Sequence, residues 1–268
     1  MASWFDTSQR GLAMGIRQAG LPLGGVLSAS ALPALATAFG WRSTLVAGAL
    51  VALAGAVAFM AFYRRPPHRP PARTASPMRL DLLREPYMKN VILSGTCMVS
   101  VHSGVGVLTV LYLHEVASME AASAALVYAA VQCAGALGRV CLAAWSDRHT
   151  SGRYACVLAC LAAVIAGMAL LATPVGRSPA AACLLFVWLG FFGIGWYGPW
   201  VAYAAEAAPP DRTGFALGLA MAVNQVAIIL APPVLGLLTD LTGGFTAAWV
   251  LLAVLTALTL AATARRTS

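Results

Sequence analysis

Charge is scarce in this sequence. Only 10% of its 268 residues are Asp, Glu, Lys or Arg, against about 25% in an ordinary soluble domain. With 60% hydrophobic residues and a mean hydropathy of +0.80, that shortage excludes a soluble globular chain. Acidic residues are scarcer still, nine against seventeen Lys and Arg. Reactive motifs are missing too. There is no HExxH, GxSxG or Walker P-loop and no pair of intramembrane aspartates, so neither an enzyme nor an ATP-driven pump is expected, and no cofactor. No CxxC and no Cys/His pair at metal spacing occurs, which leaves no metal site. The six cysteines, Cys97, Cys133, Cys141, Cys156, Cys160 and Cys183, lie within or beside apolar runs and read as small packing residues. The first apolar run is not a short stretch followed by a cleavage site, so no removable signal peptide is expected.

What is present is a series of apolar runs of about 20 residues, each able to cross ~30 Å of hydrocarbon. The fold class is an all-α polytopic membrane protein, and runs of this length exclude a β-barrel. Eight transmembrane helices are predicted, over 11–37, 43–63, 88–114, 119–145, 154–174, 180–205, 213–238 and 244–264. The segment 64–87, RRPPHRPPARTASPMRLDLLREPY, has five prolines between Pro66 and Pro77 and reads as a solvated linker. It divides the chain into 1–63, with two spans, and 88–268, with six.

Orientation follows from Lys and Arg placement. With alternating loops, one side collects thirteen: Arg10, Arg64, Arg65, Arg69, Arg73, Arg79, Arg84, Lys89, Arg148, Arg153, Arg212, Arg265 and Arg266. The other holds Arg42 and Arg177. Both termini and the linker are therefore expected in the cytoplasm. The net charge of +8 is accounted for by this asymmetry, so the expected partner is the lipid bilayer and not a nucleic acid.

An internal repeat is visible. RGLAMG at 10–15 is similar to RTGFALG at 212–218, and a shift of 203 residues pairs Ala13 with Ala216, Gly15 with Gly218 and Gly40 with Gly243. Such a shift, spanning six helices with orientation kept, is the parallel repeat of a two-bundle transporter.

Several segments carry a resemblance in the same order along the chain. RGLAMGIRQAGLPLGG followed by GWR resembles the fifth helix of the major facilitator superfamily and the turn into its sixth. GRVCLAAWSDRHTSGR resembles the family's loop motif, GxLaDrxGrr, in the copy between helices eight and nine. AAEAAPPDRTGFALG resembles the connection between helices ten and eleven. The resemblance implies a partial two-bundle architecture made of helices five to twelve, truncated at the N-terminus, with 1–63 the remnant of the first bundle. The missing N-terminal helices are then an expected partner. It also implies a gating role for Asp147, Arg148 and Arg153, with Glu206 and Arg212 as charge partners.

Two arginines lie inside spans. Arg139 is ~12 Å and Arg17 ~10 Å from the cytoplasmic end at 1.5 Å per residue. A central arginine costs about 2.5–3.5 kcal/mol on insertion scales, so it is expected to face a cavity or a partner. Tyr128, Gln132, Gly135 and Arg139 fall within about 60° of one another on a helix, which makes a polar stripe. The alternative is that Arg139 bonds helix-terminal carbonyls or Glu206. No Asp or Glu lies at the same depth, so an anion is the remaining counter-charge, and a guanidinium offers a carboxylate two parallel bonds. In the superfamily, carriers of oxalate, monocarboxylates and nitrate have an arginine where GRVCLAAWSD places Arg139. His102 and Asn224, near mid-span, and Trp196, in an i, i+4, i+7 stripe with Trp200 and Tyr203, complete the candidate substrate-binding set of Arg139, Gln132, Tyr128, Arg17, His102, Asn224 and Trp196. Gly20 and Gly24 stand at GxxxG spacing, which permits close helix approach.

The expected function is secondary-active transport by alternating access, by symport or antiport across the plasma (bacterial inner) membrane. The expected substrate is a small organic anion such as a carboxylate. Transport of another solute, such as a drug or sugar, or a transport-inactive fragment, are the alternatives.

Overall fold

The computed structural model describes residues 10–64, 85–148, 152–209 and 212–264. Every regular element among them is helical, as expected for an all-α polytopic membrane protein. The helices are α1 (Arg10–Phe62), α2 (Pro86–Glu115), α3 (Ala121–Arg148), α4 (Arg153–Leu171), α5 (Pro179–Gly195), α6 (Tyr197–Ala207), α7 (Thr213–Thr242) and α8 (Thr246–Ala264), with a short 3-10 turn at Pro174–Arg177. Most of the linker, residues 65–84, lies outside the described residues, as do residues 149–151 of the loop motif.

Boundaries follow local chemistry. Pro86 and Pro179 open α2 and α5 at their first turns, where a missing N–H costs nothing. Gly243, left-handed at φ 66°, closes α7 with its N–H on Thr239 O, the usual glycine stop. Gly40 has φ 80° and ψ 160° inside α1, a conformation essentially restricted to glycine. A straight helix of 53 residues would be ~80 Å long, far more than the hydrocarbon core, so Gly40 is where the chain can turn back. Gly40 and Gly243, paired by the internal repeat, both have positive φ.

Among the described residues, seven segments are long and apolar enough to span a membrane: Ala34–Phe62, Pro86–Glu115, Ala121–Arg148, Arg153–Leu171, Pro179–Ala207, Thr213–Thr242 and Thr246–Ala264. This is one fewer than the eight expected. The expected first two spans form a single helical element, and its N-terminal part is diluted by Arg10, Arg17, Gln18 and several glycines. α5 and α6 together make one span, interrupted at Trp196.

The core is built from α2 to α8. The first half of α1 lies along α3 and also meets α6; α3 packs on α5, and α2 on α7. The second half of α1 buries none of its apolar window. At one end of the molecule Tyr112 sits edge-on to Phe186, Phe245 and Trp249, and its hydroxyl donates to Leu171 O at 3.0 Å. The opposite end gathers the start of α1, the end of α3, the start of α4 and the end of α6.

Candidate functional site

Arg139 sits where α1, α3 and α6 meet. The approach is close because glycines face it. A Cβ on Gly15 would collide with Arg139 O and stand 2.9 Å from Ala143 Cβ. One on Gly198 would stand 3.1 Å from Arg139 O and 3.5 Å from Gly15 Cα. Such backbone contact is how small residues let membrane helices associate. The closeness expected at Gly20 and Gly24 is not there, since a Cβ at either meets nothing within 4 Å. The pair that meets α3 is Gly15 and Gly25; a Cβ on the latter would stand 3.1 Å from Gln132 Nε2. The GxxxG spacing was satisfied on the wrong face of the helix.

Arg139 as a whole is 2% exposed. Nε donates to Ile194 O at 3.1 Å and Nη1 to Gln18 O at 2.6 Å. The group lies 5.4 Å from the centre of the Tyr197 ring, within cation–π range. The ion pairs among the described residues, Arg153 with Asp147 and Arg153 with Glu206, do not include it. Arg139 therefore meets helix carbonyls, one of the two arrangements expected, and it does not pair with Glu206. Arg17 is exposed, yet within electrostatic reach of Tyr197. Of the two arginines, Arg139 is the one in contact with the Tyr197 ring. His102, half-buried on α2, is within electrostatic reach of Arg139.

The rest of the polar stripe runs along α3. Gln132 Nε2 donates to Tyr128 Oη at 2.8 Å, while Gln132 Oε1 is buried with no hydrogen-bond partner among the described residues. Trp196 Nε1 and both amide atoms of Asn224 are in the same position. Native interiors leave few such atoms unpaired. Asn224 is 3% exposed and its Oδ1 stands with the Trp200 ring against Gly95; its neighbour Gln225 is exposed. Trp196 and Trp200 are both buried and 5.4 Å apart. Trp200 Nε1 donates to Val91 O at 3.0 Å and the Tyr203 ring lies tilted against Tyr154 at 4.6 Å; of the two tryptophans of that stripe, Trp196 is the one with an unpaired donor among the described residues.

The charged end is a connected network. Asp147 Oδ1 pairs with Arg153, and its Oδ2 accepts the Leu12 N–H at 2.8 Å. Leu12 lies in the first turn of α1, where unpaired N–H groups and the helix dipole favour an anion. Arg153 Nε also meets Glu206 Oε2 at 2.6 Å. Arg148 ends α3 and is exposed. Arg212 stands at the start of α7, near Tyr87. Four helices are thereby tied at one end by Asp147, Arg153 and Glu206.

The profile of the Major Facilitator Superfamily matches residues 1–232. The chain belongs to this superfamily. Two curated relatives are similar to it, uncharacterised MFS-type transporters of Mycobacterium tuberculosis, strains CDC 1551 / Oshkosh and ATCC 25618 / H37Rv. Each is 30% identical over 256 residues, 94% of this chain and 56% of the relative. The chain thus spans little more than half the length of these major facilitator relatives.

Three groups around Arg139 and Asp147 have no signature in the sequence. Tyr197 stands beside Trp196 and outside its i, i+4, i+7 stripe. Gln18 acts through its carbonyl, which any residue has. The Leu12 N–H is likewise a backbone group. One signal did exist: Pro22 is four residues after Gln18, and a proline withdraws the N–H that a carbonyl four residues earlier would otherwise receive.

Proposed function

We propose that this chain belongs to a secondary-active transporter that moves a small organic anion, a carboxylate, by alternating access. The observation that carries the reading is the buried Arg139, its guanidinium against Tyr197 and without a described ion-pair partner. A buried guanidinium lacking a protein carboxylate is a strong site for a substrate carboxylate. Gln132 Oε1, Trp196 Nε1 and the Asn224 amide, each unpaired, supply donors and acceptors for the remainder of a polar solute, and His102 and Tyr128 border the same stripe. In this reading Asp147, Arg153 and Glu206 close one face of the transporter, with Arg148 and Arg212 beside them. In this reading that face is the cytoplasmic one of a plasma-membrane protein, an orientation that the tally of positive charges supports. Residues 1–63 belong to one bundle and 88–268 to the other, joined by 64–87.

The test is uptake of labelled mono- and dicarboxylates by vesicles carrying the protein, with and without a pH gradient. Uptake lost in Arg139→Lys supports the reading, and uptake unchanged in Arg139→Ala overturns it. A second reading has its own observation. The carbonyls of Gln18 and Ile194 already receive two donors of Arg139, so the arginine can be a structural staple in a carrier of a neutral solute. Uptake of sugars or neutral drugs that competes with no carboxylate would favour it.

A further inference from the structure

The carbonyl that Arg139 finds in α1 is not an ordinary helix carbonyl. In an α-helix the oxygen of residue 18 would accept the N–H of residue 22, but residue 22 is proline and has none. Pro22 is buried in α1, and the oxygen it frees takes Arg139 Nη1 at 2.6 Å. The second acceptor, Ile194 O, lies in the last turn of α5, where carbonyls lack a partner within their own helix. One guanidinium thus joins two carbonyls from two helices, each denied its usual donor.

We infer that Pro22 is a positioning residue for Arg139, and that a bound carboxylate must break the staple it creates. The inference rests on the proposed anion reading. Its reasoning is geometric. A guanidinium has two forks that a carboxylate can grip with paired bonds, one using Nε with a terminal nitrogen and one using both terminal nitrogens. Nε is held by Ile194 O, and Nη1 by Gln18 O. The first fork takes the Nε–H from the α5 carbonyl, and the second draws on the same Nη1 that holds the α1 carbonyl. Either way, occupying the site loosens a tie between α3 and a neighbouring helix. Binding and helix separation become one event, which is what alternating access requires of its substrate. Without Pro22, the N–H of residue 22 would satisfy Gln18 O, Arg139 would lose an exclusive acceptor, and the anion would meet less competition.

The experiment measures the α1–α3 distance by pulsed electron resonance in the full chain in bilayers. Spin labels sit on Leu21→Cys, exposed on α1, and on native Cys141, exposed on α3, with the other cysteines replaced. The expected result is a narrow distribution with Pro22, broadened toward longer distances in Pro22→Ala and in Arg139→Gln. The double variant should be no broader than Arg139→Gln alone. Pro33→Ala, which restores an N–H elsewhere in α1, should match the native protein; this control removes mere helix straightening as the cause. If Arg139→Gln fails to insert, Arg139→Lys, which keeps the charge and loses the fork, replaces it. Pro22→Ala with an unchanged distribution, or effects of the two variants that add, would overturn the positioning role. In a second arm, acetate, lactate and succinate are titrated. At least one should broaden the native distribution and leave Arg139→Gln unmoved. Its half-effect concentration should fall about tenfold in Pro22→Ala, the worth of one hydrogen bond to a charged group. Variants that behave as expected while no carboxylate acts would retain Pro22's role and overturn both the release step and the anion reading.

Discussion

Asp147 and Glu206 both pair with Arg153, and distance alone does not separate them. Exposure does. The Asp147 and Arg153 side chains are 5% and 10% exposed, and Glu206 is 41% exposed. Breaking a buried pair by removing one partner costs about 3–5 kcal/mol, whereas an exposed pair contributes about 0–1 kcal/mol. Asp147 also accepts the Leu12 N–H, so Asp147→Asn also weakens a charge-assisted tie from the first turn of α1 to α3. The expected order is therefore Asp147→Asn at about 3 kcal/mol and Glu206→Gln below about 1 kcal/mol. The larger figure is about a 150-fold shift in a two-state population. Unfolding of the purified protein in graded SDS, followed by far-ultraviolet circular dichroism, measures both. A double-mutant cycle should give a larger coupling for Asp147 with Arg153 than for Glu206 with Arg153. Glu206→Gln costing as much as Asp147→Asn would refute the reasoning, because it would mean that solvent does not screen the outer pair.

Three further outcomes follow from the same structure. Gly15→Ala should destabilise the protein by about 1–3 kcal/mol, the cost of overpacking, while Gly20→Ala, with open space around it, should cost nothing; the same SDS titration reads both. Gly40→Ala should cost about 1–3 kcal/mol through its backbone conformation, and Gly48→Ala, also in open space, serves as its control. Asn224→Ala should abolish carboxylate uptake with little loss of stability, since the amide has no described partner to lose, and the comparison of uptake with unfolding checks it.

The helices were legible because uninterrupted apolar runs admit few other structures in a bilayer. Arg139's burial and lack of an acidic neighbour were legible for a related reason, since the nine acidic residues could be located one by one along the chain. The pairing of Gly40 with Gly243 was readable as a repeat, and both have the backbone that only glycine takes easily. Contact faces were not readable. GxxxG spacing at Gly20 and Gly24 describes a helix with a smooth side, and nothing in the spacing says which side meets a neighbour; Gly15 and Gly25 do. Asn224 and Gln225 are adjacent in sequence but about 100° apart on a helix, so one is buried and the other exposed. Backbone donors and acceptors, Leu12 N–H and Gln18 O, have no residue signature of their own. Only the proline four positions on marks the second.

The central claim is that Arg139 meets a substrate carboxylate. Its most direct measurement is uptake of labelled carboxylates by vesicles carrying native protein, Arg139→Lys or Arg139→Ala, at matched membrane levels. The account predicts uptake of at least one carboxylate by the native protein, a loss of tenfold or more in Arg139→Lys from replacing a fork with a point charge (about 1.4 kcal/mol per decade), and none in Arg139→Ala. Native-like uptake in Arg139→Ala would contradict it.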